Sequence, residues 1–320
     1  MSTPYVVPNI LTSSPLGINW GSIPAPQSST ALQLSEQMRI CKRSTAIIDA
    51  FCNQPLRATL DTETLIGPGT WRLSVTDAGT ARFLVSRWPV IEPIVALASP
   101  TYQIPPSWTV IPATSLMVSE DVDGALTGAI LPGSGPLFPG TSAAQAFEVE
   151  IAPGAVSWCY GRMNTRIAMT YLNGWSHTSL TAACSVGATS LSVDDVTAFT
   201  GQDVTIYDEP YEEGINIASV TATSPITLPI SGIVVPIGPG TLTLTSPTEY
   251  AHPMGTMVST MSPSVQWAAC LLGAAQATTR GVTAVSVQSL RGTASSGAGG
   301  KAADWIAQAR ELIEAYKRTL

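Results

Sequence analysis

The sequence predicts an α+β protein: a small helical bundle from the two ends of the chain, with antiparallel β-structure between them. Three observations carry that prediction. Apolar residues recur at three- and four-residue steps near both ends. They alternate with period two in the middle of the chain. From 181 to 260, short alternating runs separated by turn residues contain not one Lys or Arg. The 320 residues, 45% of them apolar, suffice for two domains or for one domain with a large insertion. The expected organisation is an extended arm (1–29), a helical core (30–56 plus 261–320), an antiparallel β-region (57–180) and an inserted acidic module (181–260). That module is expected to be a small β-barrel or sandwich.

The arm contains Pro4, Pro8, Pro15, Pro24 and Pro26 and no charge. Tyr5, Val6, Val7, Ile10, Leu11 and Trp20 make it too apolar for a solvated tail. It is either a strap across its own domain or a contact with a neighbouring subunit. From Thr30 to Asn53, the residues Leu34, Met38, Cys41, Thr45, Ile48 and Cys52 form one helical stripe. Thr30 and Gln33 suit a capping box, and Pro55 stops the helix. Strands are expected where Trp71, Leu73 and Val75, then Phe147, Val149 and Ile151, then Val156, Trp158 and Tyr160, then Ile167, Met169 and Tyr171 alternate with other residues. The proline-dense stretch Ser86–Gly140 excludes a long helix and favours short edge strands and wide loops.

In the acidic module, the pairs Leu191/Val193, Val204/Ile206, Ile215/Ile217 and Leu242/Leu244 mark short strands. Ser262 and Pro263 open the next helix, which is apolar almost all round from Val265 to Ala277 and so deeply buried. RGTASSGAGG (291–300) reads as a flexible linker. An amphipathic helix follows over Ala302–Arg318, with Trp305, Ile306, Ala309, Leu312, Ile313 and Tyr316 on its apolar side and Glu314 facing Arg318.

Charge excludes several roles. Only 12% of residues are charged, about half the usual share of roughly 25%. The net charge is −7, and the segment 181–260 alone holds eight acids and no base. Such a surface repels phosphate, which disfavours sequence-independent DNA binding and anionic membranes. No apolar run reaches the length of a membrane span, and the first residues lack the features of a signal peptide. Five cysteines without a C-x-x-C spacing indicate neither a disulfide scaffold nor a zinc site. Cys41 and Cys52 lie about 16 Å apart along one helix, beyond the roughly 7 Å reach of a bridge. Reduced, buried thiols in a cytoplasmic product are the expectation.

No catalytic residue, metal site or cofactor is indicated. The two histidines, His177 and His252, neighbour no nucleophile in sequence, and surface or turn roles are expected for them. The run Asp208-Glu209-Pro210-Tyr211-Glu212-Glu213 is the densest set of oxygen ligands, but its order does not match an EF-hand, and with Gly214 it reads as a solvated hairpin loop. Asp121-x-Asp123-Gly124 is a weaker echo of a calcium loop. Gly299-Gly300-Lys301 lacks the first Gly, the hydroxyl and the preceding strand of a phosphate loop. The eight tryptophans fall mostly at inward positions.

Several stretches, taken in order, carry a family resemblance: SEQMRICKRSTAIIDAFCNQPLRATLDTE (35–63), SRWPVIEPIVAL (86–97), MTYLNGWSHTSLTA (169–182), GATSLSVDDVTAF (187–199), AHPMGTMVS (251–259) and PSVQWAACLLGAAQATTRG (263–281). The chain resembles the head-to-tail adaptor, or connector, proteins of long-tailed bacteriophages, in the larger version found in actinobacterial phages. The resemblance implies a virion structural protein of the neck: a homo-oligomeric, twelvefold ring under the portal protein that presents a platform for a downstream neck or tail protein. It implies assembly in the host cytoplasm and DNA passing through the ring without specific binding. The β-region and the acidic module exceed the smaller adaptors, so their roles do not carry over.

On this reading the candidate subunit or portal interface comprises Tyr5, Val6, Val7, Ile10, Leu11 and Trp20 in the arm, with Trp305, Ile306, Leu312, Ile313, Tyr316, Lys317 and Arg318 in the last helix. That helix either docks on a neighbour or packs in its own bundle. Asp208, Glu209, Glu212 and Glu213 form a candidate acidic patch on the lumen or the outer surface. Two alternatives stand beside it: another neck or tail-completion component, and a β-rich glycan-binding or adhesion module. A cell-wall hydrolase comes after both.

Overall fold

The computed structural model describes residues 3–23, 28–67, 72–75, 81–102, 104–122, 125–130, 148–152, 165–279 and 298–317. Trp71, Phe147, Asp123, Gly124, Cys159, Arg318, the strand expected around Val156, Trp158 and Tyr160, and 291–297 of the expected linker lie outside these residues. The protein is a mixed α+β fold in which every described strand pair is antiparallel.

The arm is folded rather than extended. Pro8 opens a short helix, α1 (Pro8–Ser13), where its missing N–H costs nothing, and a 3-10 turn follows at Trp20–Ser22. Tyr5, Val6, Leu11, Trp20 and Ile23 sink into one apolar core with α2 (Thr30–Cys52), α3 (Pro263–Thr279) and α4 (Ala298–Ile313). Polar bonds fix the strap. The Tyr5 N–H donates to Thr45 Oγ1 at 2.9 Å, and its hydroxyl donates to the Asp49 carboxylate while accepting the Leu56 N–H at 2.8 Å.

The helix α2 is capped by Ser29, one residue before the expected Thr30, and ends on Asn53 in the left-handed conformation. Its buried side is Glu36, Ile40, Cys41, Ser44, Ile48 and Cys52. Leu34 is exposed, contrary to the expected stripe, because the packing seam runs through Glu36 and Ile40 in the first half of the helix. On α3, Gly273 allows close approach: a Cβ there would stand 2.8 Å from Leu11 and 3.3 Å from Ile40. The last helix begins at Ala298, inside the expected linker, and passes at Glu314–Tyr316 into a 3-10 turn instead of continuing to Arg318.

Among the described residues, the β-region forms two sheets. The first has the order β1 (Thr59–Ile66), β9 (Thr165–Asn173), β4 (Val90–Pro100), β5 (Thr109–Ile111). The second has the order β2 (Leu73–Val75), β3 (Ala81–Leu84), β8 (Glu148–Ile151), β6 (Leu116–Val122), β7 (Ala125–Ile130). Phe83, Val149 and Ile151 meet Ala96, Ala98, Ile167, Met169 and Tyr171 in the core between them. The prolines did not confine this stretch to short edge strands. The eleven-residue β4 lies inside its sheet, and register shifts at Val90/Glu92 and Pro93/Val95 take up the missing donor of Pro93.

Residues 177–259 build a six-stranded sheet: β10 (His177–Ser179), β17 (Met257–Ser259), β12 (Asp203–Tyr207), β13 (Glu213–Ala222), β16 (Gly240–Leu244), β11 (Ser190–Val193). A bridge between Leu180 and Val193 draws its outer strands together, giving a half-barrel around Leu191, Phe199, Ile206, Ile217 and Leu242. A small hairpin, β14 (Ile226–Thr227) and β15 (Val234–Val235), leans on the outer face of the first β-region sheet at Ile91, Ile94, Val95 and Leu172. The turn from β9 into β10 needs Gly174, whose φ is +89° and whose Cβ would lie 2.6 Å from the Arg57 carbonyl oxygen.

Candidate assembly surfaces and the buried histidines

Tyr5, Val6, Val7, Leu11 and Trp20 are buried within this chain, and Ile10 is half-buried. They offer no free apolar face to a neighbour, because the arm spends them on α2, α3 and the Tyr207–Met257 edge of the half-barrel. Ile313 is buried likewise, and Trp305, Ile306, Leu312 and Tyr316 pack half-buried on the same core. The Tyr316 ring meets the edge of Trp175 at 5.2 Å. Lys317 is exposed; its ammonium lies 5.3 Å from the Phe51 ring centre and 3.4 Å from Glu314. What α4 leaves accessible is a cleft beside α2, walled by Ile47, Phe51, Leu272 and Ile306 with Arg310 among its lining residues. Leu32, Leu34 and Ile47 add exposed apolar surface on α2.

The acidic run divides in two. Glu209 and Glu212 are exposed in the loop between β12 and β13, and partial burial followed by the charge of Glu209 pushes the Glu212 carboxyl up. Tyr211 and Tyr250 stand 5.3 Å apart on the same surface. Asp208 and Glu213, by contrast, turn inward, which corrects their expected place in a solvated patch. The strand pairing brings both ends of the hairpin to His252, which is 1% exposed. Its Nδ1 lies 3.0 Å from Asp208 Oδ2 and its Nε2 3.0 Å from Glu213 Oε1. Each contact requires a proton between nitrogen and oxygen, so the ring bridges the two carboxyl groups. Glu213 also accepts the Glu249 N–H at 2.7 Å. A histidine held at both nitrogens has no free atom to offer a substrate.

His177 is buried too, so neither histidine takes the expected surface or turn role. Its Nε2 lies 2.9 Å from the Pro4 carbonyl oxygen and donates to it, and its Nδ1 lies 2.9 Å from Ser259 Oγ. Burial pulls its pKa down to about 4 against the raising effect of the Pro4 bond. This serine–histidine contact does not resemble a hydrolase pair: both side chains are shut off from solvent, and the second nitrogen meets a backbone carbonyl. The ring also meets Tyr5 edge-on at 5.6 Å, so His177 ties the arm to the half-barrel.

No family model, curated protein or solved structure matches this chain.

A second polar cluster lies in the β-region, where Glu63 accepts the Ser86 N–H at 2.7 Å and the Ser86 hydroxyl at 2.6 Å, together with Arg72 and the Tyr171 hydroxyl. Burial pushes this carboxyl up, but the hydrogen bonds from Ser86, Tyr171 and Arg72 outweigh it and hold it below the usual range. Cys41, Cys52 and Cys270 are buried, and burial pushes the last two thiols up to about 12, the opposite of an activated nucleophile. Among the described residues, no three His, Cys, Asp or Glu side chains are grouped to hold a metal ion, and no helix is long and apolar enough to cross a membrane.

Sequence reasoning missed both histidine sites. The Asp208–Glu213 pair carried a signal: a four-residue hairpin loop places the residues flanking it side by side. Nothing local pointed to His177, whose partners stand 173 and 82 residues away.

Proposed function

We propose that this chain is a structural, non-enzymatic subunit of the neck of a long-tailed bacteriophage. It assembles as a homo-oligomeric ring between the portal vertex and the tail, and DNA passes through it. The observation that carries this reading is the meeting of both chain ends in one apolar core: α2 lies against α3, α3 against α4, and the β-structure emerges between them. We read this core as the small helical bundle of the adaptor resemblance, and the half-barrel as its inserted module. The module carries exposed Glu209 and Glu212 and no base, a surface that does not hold phosphate. The cleft between α2 and α4 and the exposed Leu32 and Leu34 are the surfaces for a neighbouring subunit or the portal.

Mass photometry of the purified chain, alone and with the portal protein of its own phage, tests the reading. A ring, alone or formed on the portal, is expected; a monomer indifferent to the portal would overturn it. Another neck or tail-completion ring would bind tail protein in place of portal. A glycan-binding module is favoured by one observation, the exposed Tyr211–Tyr250 pair beside acidic side chains. Binding on a glycan array that disappears on replacing both tyrosines with alanine would establish that alternative.

A further inference from the structure

A cavity of about 340 Å³ lies where the β14–β15 hairpin crosses the first β-region sheet and meets the turn that precedes β12. That volume is at the lower end of the ~300–1,000 Å³ typical of small-ligand sites. Its walls are apolar, chiefly Ile91, Ile94, Leu172, Ile233 and Val235. Three polar residues, Glu92, Thr200 and Gln202, interrupt them. Glu92 is half-buried on β4, and burial alone pushes its carboxyl up, with no neighbouring charge or hydrogen bond opposing it. Gln202 is 6% exposed as a residue, and its amide, which makes no hydrogen bond among the described residues, keeps contact with solvent at the cavity mouth. A half-buried carboxylate with no charge or hydrogen bond to answer it is uncommon in a native structure.

The site is built rather than incidental. The Val196 N–H donates to the Gly238 carbonyl at 2.8 Å, and the Gly238 N–H to Asp195 Oδ1 at 3.2 Å, which pins the base of the hairpin to the neighbouring turn. Ala198, in the cavity wall, is held at φ +64°, a left-handed conformation that costs an alanine about 1 kcal/mol. The Ser176 hydroxyl donates to its carbonyl at 2.5 Å. Strain of this kind persists where the surroundings over-determine it.

We propose that this cavity binds a compact apolar group carrying a cationic amine or guanidine head, the head pairing with Glu92 and Gln202. A carboxylate ligand would face Glu92 with like charge, and a purely apolar one would leave Glu92 and Gln202 unanswered. Two sources share the required chemistry: a free small amine, and a lysine or arginine side chain presented by another polypeptide. The inference does not rest on the ring reading.

Calorimetric titration of the full chain with n-hexylamine, 1-hexanol, hexanoate and Nα-acetyl-lysine methylamide tests it. Hexylamine is expected to bind at least tenfold more tightly than hexanol, with no detectable binding of hexanoate. Glu92→Gln is expected to weaken the amine at least tenfold while raising the melting temperature, because it removes an unpaired, half-buried carboxylate. Val234→Trp, changed at an exposed lining position, is expected to block the cavity without unfolding the chain. If the lysine derivative binds more tightly than hexylamine, the source is a polypeptide side chain; the reverse order assigns a free amine. Equal binding of amine and alcohol, unchanged amine binding in Glu92→Gln, or a lowered melting temperature in that variant would overturn the proposal.

Discussion

Acidification tests the role of His177 directly. The ring is fully enclosed between the arm and the half-barrel, donates to Pro4 and meets Ser259, and is held neutral by that enclosure. Its pKa falls from the ordinary 6.5 to about 4, with burial the leading cause. The unfolded chain therefore takes up this proton first. The contribution to stability is complete above pH 6.5 and is lost as the pH falls toward 4. The full gap corresponds to about 3 kcal/mol, of which about 2 kcal/mol is lost by pH 5. The variant His177→Gln keeps a donor near the Pro4 carbonyl but cannot take the proton. Urea unfolding of both proteins at pH 7.5 and pH 5.0 isolates the effect, since the other titrating groups are common to both. At pH 7.5 the variant is expected to be less stable by about 1–2 kcal/mol. At pH 5.0 that deficit is expected to vanish or reverse. A difference that stays constant between the two pH values would refute the enclosed, neutral histidine.

Three further expectations follow from the packing. Tyr5→Phe removes the hydroxyl that joins Asp49 to the Leu56 N–H and is expected to cost about 2 kcal/mol in chemical denaturation, with the arm becoming sensitive to chymotrypsin. His252→Leu leaves Asp208 and Glu213 buried without their shared donor and is expected to cost about 3–5 kcal/mol, most of it regained when Asp208→Asn and Glu213→Gln are added. Gly174→Ala combines a left-handed backbone with a Cβ pressed on the Leu56 and Arg57 carbonyls and is expected to cost about 3 kcal/mol or more by thermal unfolding. Gly187→Ala has similar φ but open space, so a cost of only about 1–2 kcal/mol there separates strain from collision.

The elements that declare themselves by period were legible in the sequence. α2 and α3 lie close to where their apolar spacing puts them, and Ile167, Met169 and Tyr171 alternate into the core of β9 as their period of two requires. The apolar arm was legible as something that must be covered, but not what would cover it, because that depends on Thr45, Asp49 and Gly273 far along the chain. Period alone also misplaced Leu34: a helical stripe fixes a direction, and the partner helix decides how far along the stripe burial extends. β4 was hidden because two bulges let prolines sit in an interior strand. The candidate acidic patch was legible as a hairpin but not as a half-buried one, since His252 enters from 39 and 44 residues away. Glu92 and Gln202 gave no sequence signal at all, because a cavity is a property of the hairpin crossing the sheet.

The proposed role of this chain is to form a ring matched to a portal. Negative-stain class averages of the purified chain mixed with the portal protein of its own phage test it most directly. A ring stacked on the portal with the same rotational symmetry is the predicted result. Portal particles with nothing added, beside free monomers of this chain, would contradict it.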